Sequence, residues 1–569
     1  MSEPEEPRVR GLLRNPAVQH AGAFLFYVAI WLVAVGPKIL PHLSTWTLSS
    51  SPNEPGVFVW SLQWWAHPFS HGANPLLSST VWAPTGINLA WVATSPVPAL
   101  TAAPITLLFG PVVSFNLLSL VTPPLNAWAA YLLARKVAHV LPAAVVGGLL
   151  FGFSPVVMRE IEFGHLNLSM LFLLPLAPYL VLRRVEGTLG PRAFVALLTA
   201  LLVAEFGIFT EIFATMTLVG LAVGASAWAF ASTPLRKQLA SAGALVALSY
   251  LFAVVIVSPY LYTAFAHPQA VKPPVFTGLA TGARTTSDLK RYVQPRAGFA
   301  LGPPVRRHID LNWWYFGLPL LLVLVLSWAE RWRYLATRLL SLGFLLSIVL
   351  AIGSRLPLGH HRIPFPWAAL ATLPLLDRAR PGRIVAYAFL CAALAAATWA
   401  ARGRTRTARS ALRWLLLAAA VVAIVPNFGA PLWTMDNAVP LLFSSGRYRA
   451  ELCPGETVMV VDRYENAQLY WQAETGMYFR TATWYSGFRP ANYPDLKMAL
   501  RLGAGRVKPS DEPAVRRFLS DHRVSAILMR APPGPVADRL GTMLGVVPRE
   551  TGGVTLLRLA SCGPFGGGR

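Results

Sequence analysis

Apolar runs long enough to cross a bilayer recur from about residue 22 to residue 427. A spanning helix needs ~17–25 such residues. Inside hydrocarbon every backbone N–H and C=O must find its partner within the segment, so runs of this length point to a helical bundle in lipid. Composition agrees, with 54% of residues hydrophobic and 13% charged. A soluble chain of this size would split into several cores and carry far more surface charge.

The net charge of +24, from 49 Lys and Arg against 25 Asp and Glu, first suggests a polyanionic partner. Its distribution points elsewhere. The stretches "RKVAH" (135–139), "RR" (183–184), "PLRK" (234–237), "ERWR" (330–333) and "ARGRTRTARSALR" (401–413) sit in short connections between apolar runs. That is the pattern of cytoplasmic loops, so no nucleic-acid partner is expected. The sequence also holds no Walker A loop, no usable dinucleotide-binding glycine fingerprint and no HExxH.

Anchoring these loops inside gives spans near 21–40, 112–134, 141–157, 166–182, 192–208, 210–231, 239–264, 313–328, 335–353, 383–401 and 411–427, with proline-broken 95–110 as a re-entrant or interfacial piece. The first run is preceded by polar residues and lacks a small-x-small cleavage site, and it reads as an uncleaved span. The expected fold is mainly α: a polytopic transmembrane bundle of about 11–12 spans, in the cell membrane. Residues 1–20 form a cytoplasmic segment and 21–427 the transmembrane domain, with external loops 41–91, 265–312 and 354–382. Residues 428–569 form an extracytoplasmic α/β domain with a disordered tail. In it "ETVMVVDRY" (456–464), "VSAILMRA" (524–531) and "VTLLRL" (554–559) read as strands. "SDEPAVRRFLSDH" reads as a helix capped by Ser510 or Asp511 with Pro513 in its first turn. Cys453 and Cys562 bracket this domain, and a disulfide between them is compatible with an oxidising exterior; Cys391 reads as a packed residue.

This topology gathers Glu54, Glu160, Glu162, His165, Glu205, Glu211, Asp288, Asp310, Asp377 and Arg380 on the external side. Ionisable groups at helix ends are costly unless they pair or line a cavity, which makes them functional candidates. Glu54 opens "EPGVFVWSLQWWAHP", where Trp60 and Trp64 share a helical face and suit the membrane interface. A carboxylate there suits a general base meeting a lipid and a water-borne acceptor; a solvated loop acid is the plainer reading.

An acid in the first external loop, followed by "VFVWSLQWWAHPFSHGANPL" and "WAPTGINLAW" (82–91), resembles the GT-C superfamily of integral-membrane glycosyltransferases. Further echoes are "GFSPVVMREIEFGHLNL" (152–168), "TSDLKRYVQP" (286–295), "RIPFPWAALATLPLLDRARPGRIVAYAF" (362–389) and "TGMYFRTATWYSGFRP" (475–490), as in a bacterial GT-C-like subgroup. The superfamily usually places Asp in that loop, often Asp-Asp or Asp-Glu; here it is Asn53-Glu54.

The resemblance implies a polyprenyl-phosphate-linked sugar as donor and a hydroxyl of a glycan, lipid or protein as acceptor. Glu54 would take the acceptor's proton. Arg380 and Arg383 in "RARPGR" would meet the phosphate, since guanidinium forks match its oxygens; snorkelling arginines are the alternative. Substrate-binding roles are further assigned to His165, Glu162, Glu211, Asp288 and Trp64. No cofactor is called for, although His165 with Glu160 or Glu162 offers ligands for a divalent cation. Each has a structural alternative: hydrogen bonding for His165, the helix dipole for Glu211, an N-cap for Asp288. The competing class is a transporter or flippase of a lipid-linked precursor, in which ionisable groups near mid-span and an inverted repeat are expected.

Overall fold

The computed structural model describes residues 15–68, 74–267, 271–272, 299–300, 312–358, 361–373, 375–377, 379–402, 408–429, 433–462, 467–485, 487–490 and 492–561. The chain divides into two compact units, one of Met1–Pro41, Leu118–Ile256 and Val275–Trp433, the other of His42–Leu117, Val257–Pro274 and Thr434–Arg569.

All eleven expected spans are helical, but 141–157 is split between Leu141–Gly152 and Pro155–Phe163, and 166–182 between Leu166–Ser169 and Leu173–Val185. Among the described residues eight helices are long and apolar enough to cross a membrane, and the bent pair Leu141–Gly152 and Pro155–Phe163 makes a ninth. The runs near 313–328 and 411–427 form the shorter helices Leu318–Arg331 and Ala408–Ile424, of 14 and 17 residues. At 1.5 Å per residue the first of these reaches only about two-thirds of a hydrocarbon core. The proline-rich 95–110 segment is two short helices, Pro96–Thr101 and Ala103–Phe109.

In the first unit, Val385–Ala400 is the central helix, with nearly every side chain buried. Alanines fill it, and small residues let helix backbones approach where lipid supplies no hydrophobic drive. Leu141–Gly152 uses the same device. A Cβ on Gly148 would stand 2.2 Å from the Tyr27 hydroxyl and 2.6 Å from the Ala127 carbonyl, and one on Gly152 would stand 2.4 Å from Ala127. The Tyr27 hydroxyl uses that space to donate to the Val145 carbonyl at 2.9 Å.

The second unit contains a five-stranded sheet. Its strands are β1 (Thr457–Val461), β2 (Arg480–Thr481), β3 (Val524–Arg530), β4 (Arg549–Thr551) and β5 (Val554–Arg558), in the order β4-β5-β3-β1-β2. β1 pairs in parallel with β2 and β3, while β5 runs antiparallel to β3 and β4. β1 and β3 are almost wholly buried, which explains their continuous apolar sequences. Asp511 stands at the N-cap position of the helix Glu512–Asp521 without a side-chain capping bond, and Val515, Phe518 and Leu519 form the helix's buried stripe. Cys453 is disulfide-bonded and Cys391 is free, whereas Cys562 lies outside the described residues.

Candidate active site

Glu54 is the first residue of the helix Glu54–Ala66, with proline in the first turn and its own charge at the dipole's positive end. Its Oε1 accepts a hydrogen bond from the Tyr485 hydroxyl at 2.6 Å. Two turns along, Trp60 and Trp64 stack with ring centroids 5.2 Å apart and planes at 10°. They share a face as their spacing predicts, but the interfacial-belt expectation fails. Both indoles are buried, with Trp60 Nε1 donating to Gln472 Oε1 at 3.1 Å and Trp64 Nε1 to the Pro75 carbonyl at 2.9 Å. The polar edge that indole normally turns to water at a bilayer surface is here satisfied by protein. Trp64 is thereby a core residue of its unit.

In the other compact unit, Arg380 precedes the turn Pro381–Ile384 that leads into Val385–Ala400. Pro381 fixes φ at the start of this turn, and Trp314 Nε1 donates to the Gly382 carbonyl at 3.3 Å, holding it in place. Glu211 lies in the first turn of Thr210–Phe230, immediately after a break at extended Phe209. Its Oε1 accepts the Arg380 backbone N–H at 2.8 Å, and its Oε2 forms an ion pair with the Arg383 guanidinium. Both side chains of that pair are largely buried, 12% exposed for Arg383 and 8% for Glu211. The Nε of Arg383 is buried with no hydrogen-bond partner among the described residues. A cationic donor left in that condition costs free energy unless an acceptor reaches it.

Glu160 and His165 stand beside this pair. Gly164, with φ of 75°, ends the helix Pro155–Phe163 and turns the chain so that His165 Nδ1 lies 2.5 Å from Glu160 Oε2. Arg383 and Arg159 both act on Glu160 through space. Arg159 lies 3.9 Å from Glu162 and covers the Phe163 ring at 4.0 Å. The structure therefore gathers Arg380, Arg383, Glu211 and His165 into one charged cluster of buried and half-buried groups, with Glu162 on its Arg159 side. Asp288 lies outside the described residues. Among the described residues no group of three or more His, Cys, Asp or Glu side chains is arranged to hold a metal ion. Glu160 is instead committed to His165, and Glu162 faces Arg159.

One further residue escaped sequence reasoning. Tyr485, 431 positions from Glu54, left no local signal of its contact. Glu205, already a candidate among the external acids, is a lone acid in "LLVAEFGIF". It is fully buried in the helix Pro191–Ile208, and neither carboxylate oxygen has a hydrogen-bond partner among the described residues.

No family model and no curated protein matches the chain. Solved structures do. The oligosaccharyltransferase AglB from Archaeoglobus fulgidus, in complex with an inhibitory peptide and a dolichol-phosphate, aligns over 90% of this chain and 69% of its own, at 13% identity and a TM-score of 0.53. The A. fulgidus oligosaccharyltransferase tethered to an acceptor peptide containing the NVT sequon aligns over 91% of this chain and 70% of its own, at 12% identity and a TM-score of 0.56. The arabinofuranosyltransferase AftD from Mycobacteria also gives 0.56 at 12% identity; it covers 95% of this chain, which spans 40% of that enzyme. The chain shares the fold of these solved structures, with helices long and apolar enough to cross a membrane and a C-terminal sheet.

Proposed function

We propose that this protein is a membrane glycosyltransferase that moves a sugar from a polyprenyl-phosphate donor to a hydroxyl of a glycan, lipid or protein acceptor. Glu54 accepts the acceptor's proton. The acceptor oxygen forms its bond to the sugar's anomeric carbon, the bond from that carbon to the phosphate oxygen breaks, and the electron pair leaves on the lipid phosphate. A single displacement of this kind inverts the anomeric centre. Arg380 and Arg383 stabilise the departing charge, and His165, Glu162 and Glu211 shape the surroundings of that phosphate. The working face is external, with the N-terminus cytoplasmic and the sheet domain outside. Asp288 is assigned to orienting acceptor or donor sugar.

The observation that carries this reading is Arg383. Its guanidinium is largely buried, anchored through one nitrogen by Glu211, and its Nε donor is unmet among the described residues. Guanidinium forks are suited to phosphate oxygens, and a desolvated cation aimed at developing negative charge is the strongest stabiliser a phosphate-leaving reaction can use. The A. fulgidus enzyme of the same fold, in complex with dolichol-phosphate, supports a lipid phosphate as the anion.

Glu205 favours the rival class, since a buried acid near the end of a candidate span, with no hydrogen-bond partner among the described residues, is the kind of group transport pathways use. Purified protein incubated with radiolabelled polyprenyl-phosphate sugars and total membrane acceptors separates the two. Transfer of label to an acceptor without ATP or an ion gradient is the expected result. Gradient- or ATP-dependent movement of the lipid with no transfer would replace this reading with a flippase.

A further inference from the structure

The helix that begins with Glu54 is fixed within its compact unit by the chain's C-terminal third at several points. Trp60 donates to Gln472 at 3.1 Å, and its ring lies 4.9 Å from that of Trp484. Gln472, fully buried, spends its own amide hydrogens on the carbonyls of Thr80 and Phe479, at 3.2 and 3.0 Å. Gly56 closes so tightly on the helix Ala467–Glu474 that a Cβ there would stand 2.9 Å from Leu469. Trp484 is thus held against the helix, and the next residue, Tyr485, delivers its hydroxyl to Glu54 at 2.6 Å.

A bond this short between a phenol and a carboxyl oxygen lies in the range of charge-assisted O–H···O⁻ pairs. Such a donor does two things to a carboxylate. It restricts the torsions that aim it, and it favours the ionised form needed to accept a proton. A general base works only when held within hydrogen-bond reach of the proton it takes. A glutamate side chain has three rotatable torsions, and a fixed donor narrows where its carboxylate points.

We propose that Tyr485 is a positioning residue for Glu54, its hydroxyl aiming the carboxylate and holding it ionised, so that the sheet domain's own chain completes the catalytic machinery. This rests on the assignment of Glu54 as the base.

The test is a double-mutant cycle of Tyr485→Phe and Glu54→Gln in the sugar-transfer assay, with kcat and donor KM measured across pH. Phenylalanine keeps the ring and removes only the donor. The expected result is a fall in kcat of about ten- to hundredfold with donor KM unchanged, the usual scale for losing a hydrogen bond to a charged group. The acid limb of the kcat/KM profile should also move to higher pH. Added to Glu54→Gln, Tyr485→Phe should cost nothing further, because its effect passes through the carboxylate. A structural role would lower activity equally at every pH and in both backgrounds, and that result would overturn the proposal. If Glu54→Gln abolishes transfer while Tyr485→Phe leaves rate and profile unchanged, Tyr485 is eliminated and the base assignment stands. Wild-type turnover by Glu54→Gln would overturn both.

Discussion

Trp60 Nε1 donates to Gln472 Oε1 at 3.1 Å, joining side chains 412 positions apart in a fully buried pair. The first helix of a compact unit is in this way packed on the last third of the chain. Gln472→Leu would strand the Trp60 N–H and the Phe479 carbonyl without the partners seen here, while the Thr80 carbonyl keeps the Thr481 backbone N–H at 2.9 Å. Each buried unsatisfied group costs about 1–3 kcal/mol. The variant should therefore lose several kcal/mol, read as a lowered unfolding midpoint in detergent. An unchanged midpoint would show that water enters and satisfies these groups.

Gly56 reports on the same packing without touching a polar group. Gly56→Ala puts a methyl carbon 2.9 Å from Leu469 and 3.2 Å from Tyr470. Overpacking of this kind costs about 1–3 kcal/mol, although alanine is the better helix former. Net destabilisation is expected; a gain in stability would mean that the two helices are less closely apposed.

The Arg383–Glu211 ion pair separates fold from function. Arg383→Ala leaves Glu211 a buried carboxylate without its guanidinium, which costs about 3–5 kcal/mol. The double substitution Arg383→Met with Glu211→Leu removes both charges and should recover most of that loss. It should still fail to hold the donor phosphate, giving a donor KM raised at least about tenfold, the scale of a lost charge-assisted hydrogen bond. Normal donor affinity in the stable double variant would remove Arg383 from phosphate recognition.

In the sheet domain, the Asp511 carboxylate accepts the Lys508 backbone N–H at 2.8 Å and pairs with Arg501. These contacts hold its pKa below the ordinary 3.8. The folded state then binds the proton more weakly than the unfolded chain. Its contribution to stability is present above 3.8 and disappears as pH falls through the lower folded value. Unfolding midpoints of wild type and Asp511→Asn should differ at neutral pH and converge below that range. A constant gap would assign the difference to something other than this charge.

Much of the bundle was legible because lipid imposes one rule on every span, and among the described residues eight of the eleven expected runs form helices that meet it, with a ninth as a bent pair. The same holds for β1, β3 and β5, whose apolar runs declare buried strands. β2 and β4 did not, since Arg480–Thr481 and Arg549–Thr551 are two and three residues long and carry charge. Candidate site residues could be named from their chemical type and their places at helix ends. Their partners could not. Glu211 meets Arg383 across 172 positions, and Glu54 meets Tyr485 across 431. Pairings of that range are fixed by tertiary packing, which leaves no periodicity to read. The tryptophans misled for a related reason: indole suits an interface and a core equally, and the partner of its N–H decides which.

The most direct measurement is the rate of label transfer from a polyprenyl-phosphate sugar by purified wild-type protein and by Glu54→Gln, at matched folding and donor saturation. Glutamine keeps the size of the side chain and cannot take a proton. Loss of a general base costs about 10²–10⁴-fold, and a drop of that size in kcat with donor binding intact is the predicted result. Equal turnover by the two proteins, or no transfer by the wild type with any polyprenyl-phosphate sugar, would contradict the account.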